Sequence, residues 1–282
     1  MRQVEKLLPA KPAHITGTAE VLRALPRREQ RRVGSFVFFD HFGPHPAAHG
    51  EMDVPPHPHV GLQTVTYLYS GAIEHRDSLG SVQLITPGDV NWMTAGRAIT
   101  HAETVQAQTG PGAEPLHGIQ TWVGLPPGRR KGEPHFEHFG AAVLPTLSYP
   151  GAEVRVIAGE LDGRRSPVPV FLPLTYLDLR LQPGSELALS LPPDHELALY
   201  VAVGEVTLGA TTVSKGVMAK LGDGEGLRLQ SGPGARALLF GGVPLPEPTA
   251  IWWNFIVDTV EEGRACEADW KAGKFPKVQG FA

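Results

Sequence analysis

His57-Pro58-His59 and, 42 residues beyond His59, His101-Ala102-Glu103 carry the strongest chemical signal in the chain. In extended backbone, residues i and i+2 point to the same face of a strand. Each triplet can therefore present two ligand atoms to one side, and two such strands facing each other would enclose an ion. Three imidazoles and one carboxylate form a mixed nitrogen and oxygen set that suits Fe, Mn, Co, Ni, Cu or Zn and disfavours Ca or Mg. Four protein ligands leave open positions on an octahedral ion, as catalysis requires. Glu103 is the only anion in the set. It can bind the ion, or detach and accept a substrate proton as general base, which makes it the catalytic candidate.

The other chemistry-bearing residues read more plainly. His135 and His138 sit in a polar stretch, Arg129 to His138, which reads as a linker or excursion with surface histidines. His75, Arg76 and Asp77 read as a solvated strand end or, alternatively, a substrate mouth. Gln120 and Trp122 share a strand face that reads as core in preference to pocket, with His117 at the start of that strand. Arg27, Arg28, Arg31 and Arg32 form a short basic run, too narrow for a nucleic-acid surface. Neither a Walker A motif nor a nucleophile elbow is present, and Gly232-Pro233-Gly234 leads into a strand where a phosphate loop would need a helix.

The elements that must hold these residues are strands. With 33 glycines and 27 prolines among 282 residues, a helical bundle is disfavoured and a turn-rich all-β fold is expected. Gln63–Tyr69, Val82–Ile85, Val90–Met93 and Ile119–Val123 are apolar or β-branched runs between turn signals. A second set follows at Val154–Ile157, Tyr176–Leu181, Leu187–Leu191, Leu197–Val203, Val206–Leu208, Gly226–Leu229 and Ala237–Phe240. This rhythm predicts two β-barrel or jelly-roll-like domains, residues 1–142 and 143–282. Eleven of the 12 histidines lie at or before His138, so the first domain is expected to hold the metal and the second to be structural. Thr259 and Glu262 predict a capped helix starting at Val260 and ending before Pro276. Trp252 and Trp253 are expected to pack at a domain interface.

A single cysteine, Cys266, excludes an internal disulfide or thiolate cage, and the net charge of −4 argues against direct nucleic-acid binding. No apolar run approaches membrane-spanning length, and no signal-peptide pattern opens the chain. A cytoplasmic protein without a membrane role is the expectation.

The segments Phe36–Pro44, Pro56–Tyr69, His75–Ser81, Pro87–Glu103 and His117–Pro126 together resemble the pirin family of the cupin superfamily, as do Trp252–Phe255 and Asp269–Val278. The resemblance implies a bicupin with one metal, iron as Fe(II), in the N-terminal domain only. It places the ligands on His57, His59, His101 and Glu103, and suggests His41, near Asp40, as a donor supporting them. Two cupin hallmarks are changed. Gln63 stands where cupins carry a ligating Glu, and Thr94 where a proline is expected, with four residues between Gly96 and His101. The resemblance further implies a quercetin 2,3-dioxygenase type of activity, in which O₂ opens a flavonol ring and carbon monoxide leaves. Its alternative is a metal- or redox-sensing regulator that binds a partner protein.

Overall fold

Apolar and polar residues alternating between Gly and Pro turns produce antiparallel strands through almost the whole molecule. The computed structural model describes residues 1–15, 20–46, 53–107 and 113–281. One α-helix, Val260–Lys271, follows the strands. Thr259 caps it by accepting a hydrogen bond from the Glu262 backbone N–H at 3.2 Å, as its sequence predicts.

The chain forms two compact units. One comprises Met1–Lys11, Leu22–Phe38 and Ala142–Pro244, and the other Pro12–Val21, Phe39–Ala141 and Leu245–Ala282. The two compact units interleave along the chain, whereas the sequence reading divides it once at 142/143. The physical reason is pairing. The first strand, Val4–Pro9, lies against Val217–Leu221 and covers a sheet edge that would otherwise be open. The C-terminal hairpin, Ala250–Trp252 with Phe255–Val257, joins the histidine-rich unit, where the Ile256 N–H donates to the Val60 carbonyl at 2.9 Å.

In the histidine-rich unit a four-stranded sheet runs in the order Val54–His59, Ile99–Val105, Ile73–Asp77, Val82–Ile85. A larger sheet runs His135–Phe139, Val90–Thr94, Leu62–Ser70 and then Leu116–Gly124. His135–Phe139 is thus a strand paired with Val90–Thr94, where the sequence reads as a linker. The other unit is built on a ten-stranded sheet around a leucine-rich core that includes Leu177, Leu179, Leu187, Leu199, Leu227 and Leu239. There the two short strands expected at 197–203 and 206–208 are one long strand, Glu196–Leu208.

Candidate metal centre

Two glycines fix the turns beside the ligand strands. Gly61, with φ +68°, follows the His57/His59 strand, and a Cβ there would lie 1.9 Å from the Ile256 carbonyl oxygen. Gly96, with φ +50°, precedes the His101 strand and would meet the Gly132 carbonyl oxygen at 2.2 Å. The Gly61 N–H donates to the Gly96 carbonyl at 2.8 Å, tying the two turns together. Positive φ and close backbone approach both require glycine here.

Between these turns Val54–His59 pairs antiparallel with Ile99–Val105, placing His57 directly opposite His101 and His59 opposite Ile99. The register shifts between His101 and Glu103, so that Glu103 faces Val54. This bulge falls beside Pro55 and Pro56, which have no N–H to contribute to a ladder. The strand tolerates three prolines because it lies at the sheet edge.

His57, His59 and His101 converge, with one ring nitrogen from each lying within 4.8 Å of the others. Their ring centroids are 4.3 Å apart for His57 and His101, and 5.1 Å for His59 and His101. His57 Nδ1 is 2.9 Å from the Pro55 carbonyl oxygen, which can only accept. That nitrogen therefore carries the proton and leaves Nε2 as a lone pair. His101 Nε2 is buried with no hydrogen-bond partner in the protein, and the buried ring of His59 has only a backbone group of Asn254 to engage one of its nitrogens. Buried polar atoms are seldom left so, and three converging imidazoles with bare lone pairs fit a transition-metal ion. Burial pushes all three pKa values down, those of His59 and His101 well below the ordinary 6.5, and neighbouring imidazoles add to the shift. The rings are neutral at pH 7, the form that ligates a metal.

Glu103 forms a second group with His101 and His75, again with ligand atoms within 4.8 Å. Its Oε1 accepts from the Thr66 hydroxyl at 3.0 Å, and Thr66 Oγ1 is also 2.8 Å from the atom placed as Gln120 Oε1. One hydroxyl proton cannot serve two acceptors, so the Gln120 amide must turn its N–H₂ toward Thr66. The result is a directed chain from Gln120 through Thr66 to the carboxylate. Trp122 packs edge-on against His59, with centroids 5.0 Å apart. The face carrying Gln120 and Trp122 therefore belongs to the site and not, as its composition suggests, to plain core.

His75 and Asp77 are residues whose importance the sequence alone understates. Both are buried, at 2% and 1% exposure, where a solvated strand end is expected. In register, Asp77 lies opposite His101 and His75 opposite Glu103. His75 Nε2 is 3.1 Å from Asp77 Oδ2, and His75 Nδ1 is 3.3 Å from His101 Nδ1. Phe136 stacks on the His75 ring at 4.3 Å. Burial raises the Asp77 pKa, but hydrogen bonds from His75 and Ser81 outweigh it and hold the carboxyl below its ordinary value. The available signal was the i, i+2 spacing of His75 and Asp77, the same spacing as in the ligand triplets.

The remaining candidates lie elsewhere. His135 is exposed, and His138 Nδ1 is 2.8 Å from Asn91 Oδ1. His41 Nε2 is 2.8 Å from His117 Nε2. Trp252 donates through Nε1 to Glu267 at 2.8 Å and packs over Gly263 of the C-terminal helix, whereas Trp253 is half exposed. Gln63 Nε2 donates to Thr94 Oγ1 at 2.9 Å. The two positions that depart from general cupins thus hydrogen-bond to each other, and the Gln63 amide N–H₂ is engaged away from any ligand role. Among the described residues, no helix is long and apolar enough to cross a membrane.

Residues 18–123 match the Pirin family and residues 176–276 match the Pirin C-terminal cupin domain. The chain belongs to the pirin family. A pirin-like protein from Caulobacter vibrioides is 41% identical, over 92% of this chain and 90% of its own length. Pirin from Homo sapiens is 33% identical, over 91% and 88% respectively. A crystal structure of a quercetin 2,3-dioxygenase from Acinetobacter baumannii superposes with a TM-score of 0.90 at 34% identity, covering 98% of this chain and 92% of that one. The fold is accordingly the two-cupin, all-β arrangement with a short C-terminal helix that the family resemblance implies.

Proposed function

We propose that this pirin-family chain is a dioxygenase that holds one divalent metal on His57, His59, His101 and Glu103 and opens the central ring of a flavonol such as quercetin. Iron as Fe(II) is the proposed ion. The observation that carries the reading is the converging imidazole trio, with His59 and His101 buried and His57 half-buried, and the likeness to the Acinetobacter quercetin 2,3-dioxygenase supports it. When bound, the ion supplies positive charge to an anionic oxygen-donor substrate and open positions beside it.

The chain's own residues do the rest. Glu103 accepts the proton of the flavonol hydroxyl that lies next to the ring carbonyl, leaving an electron-rich flavonolate able to react with O₂. Thr66 orients that carboxylate by donating to Oε1, and Gln120 fixes the hydroxyl of Thr66. The apolar rings of Trp122 and Phe136 lie against His59 and His75 and limit water around the ligand rings. Both atoms of O₂ enter the ester product, and one ring carbon leaves as carbon monoxide.

The test is to load the full chain with Fe(II) without oxygen, add quercetin, and then admit O₂. Decay of the flavonol absorption with carbon monoxide release is expected. A fully loaded chain that leaves quercetin unchanged would reject the enzymatic reading and favour a metal-sensing role.

A further inference from the structure

Asp77, His75 and His101 line up across two adjacent strands, and each contact constrains the next. Asp77 Oδ1 is occupied by two backbone donors, Leu79 N–H at 2.8 Å and Ser81 N–H at 3.0 Å. Its Oδ2 is left to face His75 Nε2 at 3.1 Å. A carboxylate only accepts, so Nε2 of His75 carries the proton. In neutral His75 the other nitrogen, Nδ1, is then a lone pair, and it lies 3.3 Å from His101 Nδ1. A hydrogen bond there requires the proton on His101 Nδ1. His101 Nε2, buried and without a partner in the protein, is thereby left bare.

We propose that Asp77 and His75 are positioning residues that impose the Nδ1–H tautomer on His101 and so present its Nε2 lone pair to the metal. The proposal rests on the metal reading above and assigns His75 no bond to the ion. Register supports it, because Asp77 sits opposite His101 and His75 lies one diagonal step away. The stacked Phe136 ring holds the plane of His75. His101 thus differs from His57, whose tautomer is set by a backbone carbonyl of its own strand. Partners of this kind behind a ligand raise its basicity and fix its orientation.

The geometry yields an unusual expectation for the near-isosteric change Asp77→Asn. The amide oxygen takes the Oδ1 place, held by the same two backbone donors, so the N–H₂ must face His75 Nε2. That nitrogen then accepts, the His75 proton moves to Nδ1, and it meets the proton on His101 Nδ1. The tautomer of His101 is no longer imposed and is opposed.

The experiment uses the full chain with zinc as a diamagnetic probe. Long-range proton–nitrogen NMR of histidine-labelled, zinc-loaded wild type should show protons on His101 Nδ1 and His75 Nε2, with His75 Nδ1 bare and unmetallated. Zinc affinity, measured by chelator competition, should fall by about 10- to 100-fold in Asp77→Asn, with the stoichiometry still at one ion per chain and the metal-free melting temperature near wild type. A metallated His75 nitrogen, a bare His101 Nδ1, or an Asp77→Asn affinity within twofold of wild type would overturn the proposal. If Asp77→Asn does not fold, the wild-type spectrum alone decides. A wild-type chain that takes up no zinc would reject the metal reading itself and is distinguishable from those outcomes.

Discussion

Glu103 is the one ligand candidate with a negative charge, and its oxygen is held by a neutral hydroxyl, Thr66, at 3.0 Å. Three imidazoles can retain a transition ion without it, so its larger contribution is to proton transfer. Glu103→Gln keeps the shape and removes the base. Metal occupancy should persist at reduced affinity, and flavonol decay should slow by about 10²–10⁴-fold when rate and occupancy are read on one sample. Undiminished turnover at equal occupancy would remove the general-base role. The imidazoles make a second prediction at this scale. His57, His59 and His101 have pKa values held below 6.5 when folded, chiefly by burial, so between those values and 6.5 the unfolded chain binds more protons. Stability of the metal-free protein is then fully present above pH 6.5 and is lost as pH falls through the folded values. Each group contributes at most about 1.4 kcal/mol per pH unit. Calorimetry after chelation should show the melting temperature falling from pH 7 to pH 5, with a shallower fall in His59→Gln; a flat profile in the wild type would contradict this.

At the scale of elements, Arg130 connects the C-terminal segment to the strands that carry the site. Its buried guanidinium donates to Leu125 O at 2.9 Å, Pro248 O at 2.7 Å, Asp258 Oδ1 at 2.6 Å and Thr249 Oγ1 at 2.5 Å. Arg130→Ala leaves these acceptors without their donor, and should cost about 3–5 kcal/mol in denaturant unfolding. A loss below about 1 kcal/mol would show that hairpin and helix dock without it. The ligand triplets were legible in the sequence because i, i+2 spacing is local, and Val82–Ile85 because β-branched and apolar residues cluster between turns. The His75–His101 contact was not legible, since it depends on how Ile73–Asp77 registers against a strand more than 20 residues away. His135–Phe139 is not legible as a strand because His-Phe-Glu-His-Phe offers only two apolar side chains, and its partner strand supplies the rest. The placement of Val4–Pro9 is set by which sheet edge needs cover, a property of the assembled strands.

For the whole molecule, the distribution of chemistry between the two units predicts the stoichiometry. Among the described residues, both metal-ligating groups fall in the unit containing Phe39–Ala141. The other unit devotes its strands to a leucine-rich core, and its single imidazole, His195, is hydrogen-bonded to Thr175 at 2.9 Å. About one metal per chain is therefore expected, and none in the second cupin. The most direct test compares wild type with His57→Ala/His59→Ala, measuring metal content and O₂-dependent quercetin decay on the same Fe(II)-treated samples. About one ion per chain with flavonol loss and carbon monoxide release is expected in the wild type, and neither metal nor decay in the double variant. A double variant with wild-type metal content, or a loaded wild type that leaves quercetin intact, would contradict it.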